Sequence, residues 1–225
     1  MLFALGEPVA FVTLVLAFLL GLLLRAIAIR LTARTLGLTG RDEPVSPRLR
    51  EDIDPFGAVA AAVGGTGWGK IIPVDEVPRR RGRGRAAAVF LAGPLTCIVV
   101  AQLFFLGYAL STGLNLLSYA DLSALLRGAD VGSLLDQVLL SFGAGLLAFG
   151  LLALIPIPPL DGFGVLWSAQ KQPGRGMHWM RLWFEDKNIG VLILLVFCFF
   201  PLTYPLLLVI LDVLGVLFLR LWGRV

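Results

Sequence analysis

The side chains in this sequence that could do chemistry within or beside its apolar stretches are few: Arg25, Cys97, Asp161, His178, Glu185, Asp186, Cys198 and Asp212. A catalytic zinc takes about three protein ligands and leaves a fourth position open for water. His178 is the one histidine in the chain and falls in a basic, polar stretch. Cys97 and Cys198 lie far apart within apolar runs, without the paired spacing of a metal site or a disulfide framework; each reads as a small buried hydrophobe. A Ser or Cys nucleophile needs an adjacent base, and none is visible inside the apolar runs. The pattern offers neither a metal nor a nucleophile, so the expectation is no cofactor, no bound metal and no catalytic residue.

The elements that must position these groups are membrane helices. Of 225 residues, 58% are hydrophobic and 15% are charged, against roughly 45–50% and 25% in soluble domains. The excess is concentrated in runs long enough to cross a hydrocarbon core, which takes about 18 or more apolar residues in a helix. The expectation is one membrane domain over 1–225, with spans at about 8–31, 86–110 and 137–157. A further span, or a kinked hairpin, is expected at about 189–222, where Pro201 and Pro205 interrupt the run and Arg220 and Arg224 favour a return. Glu7 before the first run, and Arg25, Arg30 and Arg34 towards or beyond its end, mark it as a retained helix rather than a secretory signal.

Charge sets the expected orientation. Arg79, Arg80, Arg81, Arg83 and Arg85 crowd seven residues just before the second run, and Lys171, Arg175, Arg181 and Lys187 lie between the third and fourth. The segment between the second and third runs carries Asp121, Arg127, Asp130 and Asp136, a net charge of −2. Basic loops stay cytoplasmic, which places the N-terminus outside a bacterial-type inner (cytoplasmic) membrane in a multi-pass topology. The five arginines read as a topology anchor with attraction for lipid phosphates; nucleic acid is not an expected partner. Trp167, Trp179, Trp183, Tyr108 and Tyr119 are expected to form an interfacial belt, and 174–186 an amphipathic stretch along the membrane surface.

Residues 55–74 fit neither class. An apolar stretch too short to cross is followed by glycine and β-branched residues, which reads as a re-entrant or interfacial element leading to a short extended strand.

Four motifs then bring a family into view. Ile155-Pro156-Ile157-Pro158-Pro159-Leu160-Asp161-Gly162 resembles the LPIPPLDG signature of site-2 proteases, the intramembrane zinc metalloproteases of the M50 family. Asp54-Pro55-Phe56-Gly57 resembles its IDPFG, Gly67-Trp68-Gly69-Lys70 with Pro73-Val74 its GWAKPVPV, and Leu91-Ala92-Gly93-Pro94-Leu95 its LAGPLSN. The resemblance implies an all-α polytopic membrane protein, with a site-2-protease-like helical core and a short re-entrant/β element. It also implies a metal held by a helical HExxH and by the LDG aspartate, with the Glu activating water.

This sequence departs from that pattern where the chemistry sits. Aligned through Leu36-Gly37, the two His positions are Arg25 and Ile29 and the Glu position is Ala26; two positions that are Asn in the family are Cys97 and Ala153. Of the family's polar set, Asp161 remains. Two roles stay open for it: an ion pair with Arg25, which the topology brings to a similar depth, or capping of the short helix after the double-proline turn, which is the favoured reading. The chain is therefore expected to be no enzyme but a pseudoprotease, a scaffold or accessory subunit that binds a transmembrane partner in a larger complex, with membrane lipids around it. An intramembrane zinc metallopeptidase with a rearranged site is the alternative, and a transporter ranks below both because the spans hold little ionisable beyond Arg25 and Asp212.

Overall fold

Pro8 has a φ preset for a first helical turn and no N–H to leave unpaired, and it opens α1 (Pro8–Thr35). The computed structural model describes residues 1–40, 44–112, 121–128, 133–199 and 205–223; Tyr119, Asp130, Pro201 and Arg224 lie outside them. α1 closes in a Schellman arrangement: Gly37 takes φ +69°, the Leu38 N–H donates to Ala33 O (2.8 Å) and the Gly37 N–H to Arg34 O (3.1 Å). Only a residue without Cβ adopts that turn at little cost.

After a four-residue α2 (Leu49–Asp52), α3 (Pro55–Gly64) begins at Asp54, whose carboxylate accepts the Gly57 N–H at 2.8 Å. At its other end the Met1 amine donates to Ala61 O (3.0 Å) and Ala62 O (2.9 Å). At about 1.5 Å per residue, ten residues are too short to cross a bilayer, and α3 has both its ends satisfied by protein. The chain then doubles back along it: a Cβ on Gly57 would lie 2.0 Å from Trp68 O, and one on Gly67 would lie 2.0 Å from Gly57 O. The extended strand expected over 66–74 is reduced to a single antiparallel bridge, Ile53 to Gly69; elsewhere in the segment Lys70 O accepts from Arg25 of α1 and the Val74 N–H donates to Glu185.

α4 (Arg83–Thr112) and α6 (Leu134–Leu154) complete the long helices, with the short α5 (Leu122–Leu126) between them. Among the described residues three helices, α1, α4 and α6, are long and apolar enough to cross a membrane, and the protein is an all-α polytopic membrane protein. They pack on one another around Leu14, Phe18, Phe105, Leu146 and Phe149. α6 stops at Leu154 because Ile155 precedes Pro156 and is held extended, at φ −60°, ψ 128°. α7 (Asp161–Ala169) and α8 (Arg175–Met180) follow at the Asp161 end of the bundle.

Residues 189–222 form two helices rather than one, α9 (Ile189–Phe199) and α10 (Leu206–Leu219), with Pro205 as the N-cap of the second. α10 packs on α5 and α6 at the end of the bundle opposite Asp161, and Trp222 beyond it donates from Nε1 to Gln102 Oε1 at 2.8 Å. Gln102 is nine residues, about 13 Å, along α4 from Gly93 at the depth of Arg25.

Asp212 has a structural use. Its carboxylate accepts the Ser123 N–H at 2.6 Å, satisfying the start of α5, where Asp121 makes no side-chain cap. Asp212→Leu should destabilise the protein by about 1.5–3 kcal/mol, the scale of a hydrogen bond to a charged group, and Asp212→Asn by less. Thermal unfolding in detergent reads the difference; equal losses would mean that packing at 212, not the acceptor, matters.

Two expected interfacial aromatics are core residues. Tyr108 is fully buried between helices and Trp167 is 3% exposed. Both sit near helix ends as an interfacial residue would, but α4 and α7 turn those positions inward.

Candidate functional site

Several of the motifs singled out in the sequence meet at one point. α1 presents Arg25, the Pro156–Leu160 turn and the start of α7 present Asp161, and the doubled-back segment after α3 presents Gly69 and Lys70. The guanidinium of Arg25 donates from Nε to Asp161 Oδ2 and from Nη2 to Asp161 Oδ1, both at 2.6 Å, and from Nη1 to Lys70 O at 3.0 Å. The pair is bidentate, the geometry in which Arg and carboxylate match best, and it is buried, with side-chain exposures of 9% and 3%.

The capping role favoured for Asp161 is not what the structure shows. The N-cap of α7 is Leu160, with no side-chain cap, and Asp161 is the first helical residue. Its oxygens are turned across the bundle to Arg25. An unpaired carboxylate in this apolar setting would be costly, and a fixed cation 136 residues away in sequence satisfies it better than local N–H groups.

Glycines make the approach possible. A Cβ on Gly93 would lie 2.7 Å from Arg25 Cγ and 3.2 Å from Ile29 Cδ1, so the Gly-Pro motif of α4 gives α1 room at this depth. A Cβ on Gly162 would lie 2.1 Å from Leu154 O; without it the chain could not fold α7 tightly onto the end of α6. A Cβ on Gly69 would lie 2.7 Å from Leu22 Cδ2 and 3.2 Å from Arg25 Nη1.

The other positions singled out in the sequence divide around the pair. Ala153 lines a cavity of about 10 Å³, with Arg25, Trp68, Phe149 and Asp161, room for about one water at most. Ala26 and Ile29 line a second, larger cavity of about 560 Å³, to which Arg25 also contributes an edge. This groove runs between the Arg25 end of α1, residues 44–52 and residues 70–78, with an apolar floor (Ile29, Ala33, Ile71, Val89) and a charged rim (Arg30, Arg34, Lys70, Glu76). Cys97 is buried apart from both, its Sγ 3.5 Å from Gly21 O. Sequence reasoning missed Lys70 O as the third acceptor for Arg25; a backbone acceptor leaves no side-chain signal, though the GWGK glycines marked the close approach.

The arginine cluster also divides. Arg79 Nη2 donates to Gln170 O at 2.6 Å and its guanidinium lies 5.8 Å over the Trp167 ring. Arg81 Nη1 donates to Gly37 O at 2.6 Å. These two tie the ends of α7 and α1 to the start of α4; Arg79 is half-buried, and Arg80, Arg81, Arg83 and Arg85 are exposed. Beyond the groove wall, Glu185 Oε1 accepts the Val74 N–H at 3.3 Å. Burial pushes the Glu185 carboxyl above the usual carboxylate range, against the pull of the Val74 N–H and Arg181.

The donor set does not suit a catalytic zinc. Among the described residues no group of three or more His, Cys, Asp or Glu converges, His178 packs on Trp167, and both Asp161 oxygens are engaged by Arg25.

Over 118 residues the chain is 30% identical to a protein of Bacillus subtilis (strain 168) described as "Putative zinc metalloprotease YwhC", a stretch that takes in 51% of this chain and 48% of that protein. The chain therefore spans about half the length of the curated relative it matches. No family model and no solved structure matches. The similarity supports a site-2-protease-like relationship for this membrane protein.

Proposed function

We propose that this chain is a non-catalytic member of the site-2-protease-like proteins that works by holding a transmembrane partner, as a scaffold or accessory subunit. The observation that carries this reading is the Arg25–Asp161 pair. A guanidinium stands where the resemblance would put a metal, and it engages both oxygens of the one remaining polar catalytic-type residue. A permanent cation balances the carboxylate without supplying an open coordination position or an acidified water, so zinc hydrolase chemistry has no place to begin. The groove of about 560 Å³ beside the pair stays available to a partner segment. Its apolar floor suits the end of a transmembrane helix, and its charged rim suits the polar residues that follow such a helix. The distribution of arginines supports an orientation with the Arg25–Asp161 end on the cytoplasmic side of a bacterial-type membrane and the N-terminus outside.

Affinity isolation of the full chain from gently solubilised membranes is expected to bring down a membrane protein in stoichiometric amount, and variants that fill the groove (Ala33→Trp) should release it. A monodisperse, partner-free chain from native membranes would count against the proposal. Metal analysis separates it from the metallopeptidase alternative: the expected zinc content is well below one per chain, and full occupancy retained through dialysis would overturn the non-catalytic reading.

A further inference from the structure

The segment after α7 has two unlike faces, and only one is accounted for by the fold. α8 runs on through the wider π-type turns of Arg181–Asp186. On the inner face the His178 ring packs edge-on against Trp167 at 4.9 Å between centroids. Arg181 lies 5.4 Å over the same ring and pairs with Asp75, and Glu185 accepts from the Val74 N–H. The outer face carries Trp179, Leu182 and Trp183, which are 57%, 47% and 36% exposed. Exposed Arg175 and Lys187 stand at its two ends, and Lys187 Nζ lies 3.9 Å from the Trp183 ring centroid.

Its depth is fixed by packing. A Cβ on Gly190 would lie 2.2 Å from Pro158 O and 2.8 Å from Phe184 O, so the end of the segment is pressed against the proline turn at which α6 stops. The end of an apolar span is where the hydrocarbon gives way to headgroups, and amphipathic indole rings concentrate there. A short element with aromatics outward, cations at its ends and a protein-bound inner face has the composition of one that lies in the plane of the interface.

We propose that residues 175–187 form a lipid-binding platform, with Trp179, Leu182 and Trp183 in the headgroup–acyl boundary and Arg175 and Lys187 on anionic lipid phosphates. Through Arg181–Asp75 and Glu185–Val74, the platform braces the segment that forms one wall of the groove, so lipid contact at the surface and the shape of the groove share one support.

The test uses the full chain in nanodiscs, which leave both membrane faces open to solvent, made either of phosphatidylcholine alone or with phosphatidylglycerol. Tryptophan emission is quenched with lipids brominated near the headgroup and, separately, with iodide. The expected result is strong quenching by the shallow brominated lipid, most of which disappears in the Trp179→Phe/Trp183→Phe variant, with little change in iodide quenching. Anionic lipid should deepen the brominated-lipid quenching, and Arg175→Gln/Lys187→Gln should remove that increment. If the two tryptophans are quenched by iodide and untouched by brominated lipid, the face looks into water, and the proposal is overturned in favour of a surface reserved for a protein partner. The wild-type measurement decides this even if a variant folds poorly.

Discussion

Arg25→Met is expected to destabilise the folded chain by about 3–5 kcal/mol, the scale of removing one partner from a buried ion pair. The cost comes less from losing an attraction than from leaving the Asp161 carboxylate, 3% exposed, without its bidentate donor. Asp161→Leu should cost a comparable amount from the other side. A guanidinium stays charged in any accessible protonation state, although Arg25 has a route to relief that Asp161 lacks. Its side chain edges the large groove and can swing towards water, while Asp161 is closed in against Trp68, Phe149 and Leu160. Arg25→Met is therefore expected to be the more damaging single change. The double variant Arg25→Met/Asp161→Leu should recover most of the loss, because replacing both members of a buried pair with apolar groups is often neutral. Thermal and denaturant unfolding in detergent or nanodiscs give the cycle. Additive single losses would show that the two side chains do not act as a pair and would remove the main support for the proposed function.

The second large effect is expected at the motif glycines. Gly162→Ala would force a methyl group to 2.1 Å from Leu154 O, and Gly57→Ala one to 2.0 Å from Trp68 O. In each case the obstacle is backbone, which cannot rotate away, so a helix or the doubled-back segment must move. Overpacking of this kind typically costs about 1–3 kcal/mol and occasionally more. Because Gly162 and Gly57 help to place Asp161 and Lys70, both variants should also loosen the Arg25 network and reduce partner capture from membranes. Gly84→Ala and Gly176→Ala are the controls: nothing lies within 4 Å of a Cβ at either position. Both are helical, so a gain of up to about 1 kcal/mol is expected from propensity alone. Unfolding midpoints that fall equally in all four would show that the close approaches are not what holds these motifs in the sequence.

The two predictions divide the family-like motifs by physical role. Gly57, Gly67, Gly93 and Gly162, with Pro94 and the proline turn, are where backbone meets backbone or side chain at near-contact distance. Arg25, Ala26, Ile29, Cys97 and Ala153 stand where the resemblance would put polar chemistry. The first set serves packing and the second offers no polar chemistry, and the proposal of a binding function rests on that contrast.

Some of this was legible in the sequence because it depends on composition along a line. Whether a run of residues can cross a bilayer is set by its length and apolarity, so an all-α membrane protein with long apolar helices was to be expected from composition along the chain. The expectation of no zinc site rested on composition in the same way, since the chain's one histidine lies in a basic loop. What the tertiary structure alone decided depends on which segments meet. The choice for Asp161 between capping its own helix and crossing to Arg25 turned on an approach between α1 and α7, and local sequence favoured the cap. The same holds for Lys70 O as the third acceptor, for Tyr108 and Trp167 turning inward instead of joining a belt, and for Asp212 serving α5. Partition into a membrane is a sum over neighbours in sequence, whereas a buried charge is satisfied by whatever packing brings within about 3 Å, and that is a property of the folded whole.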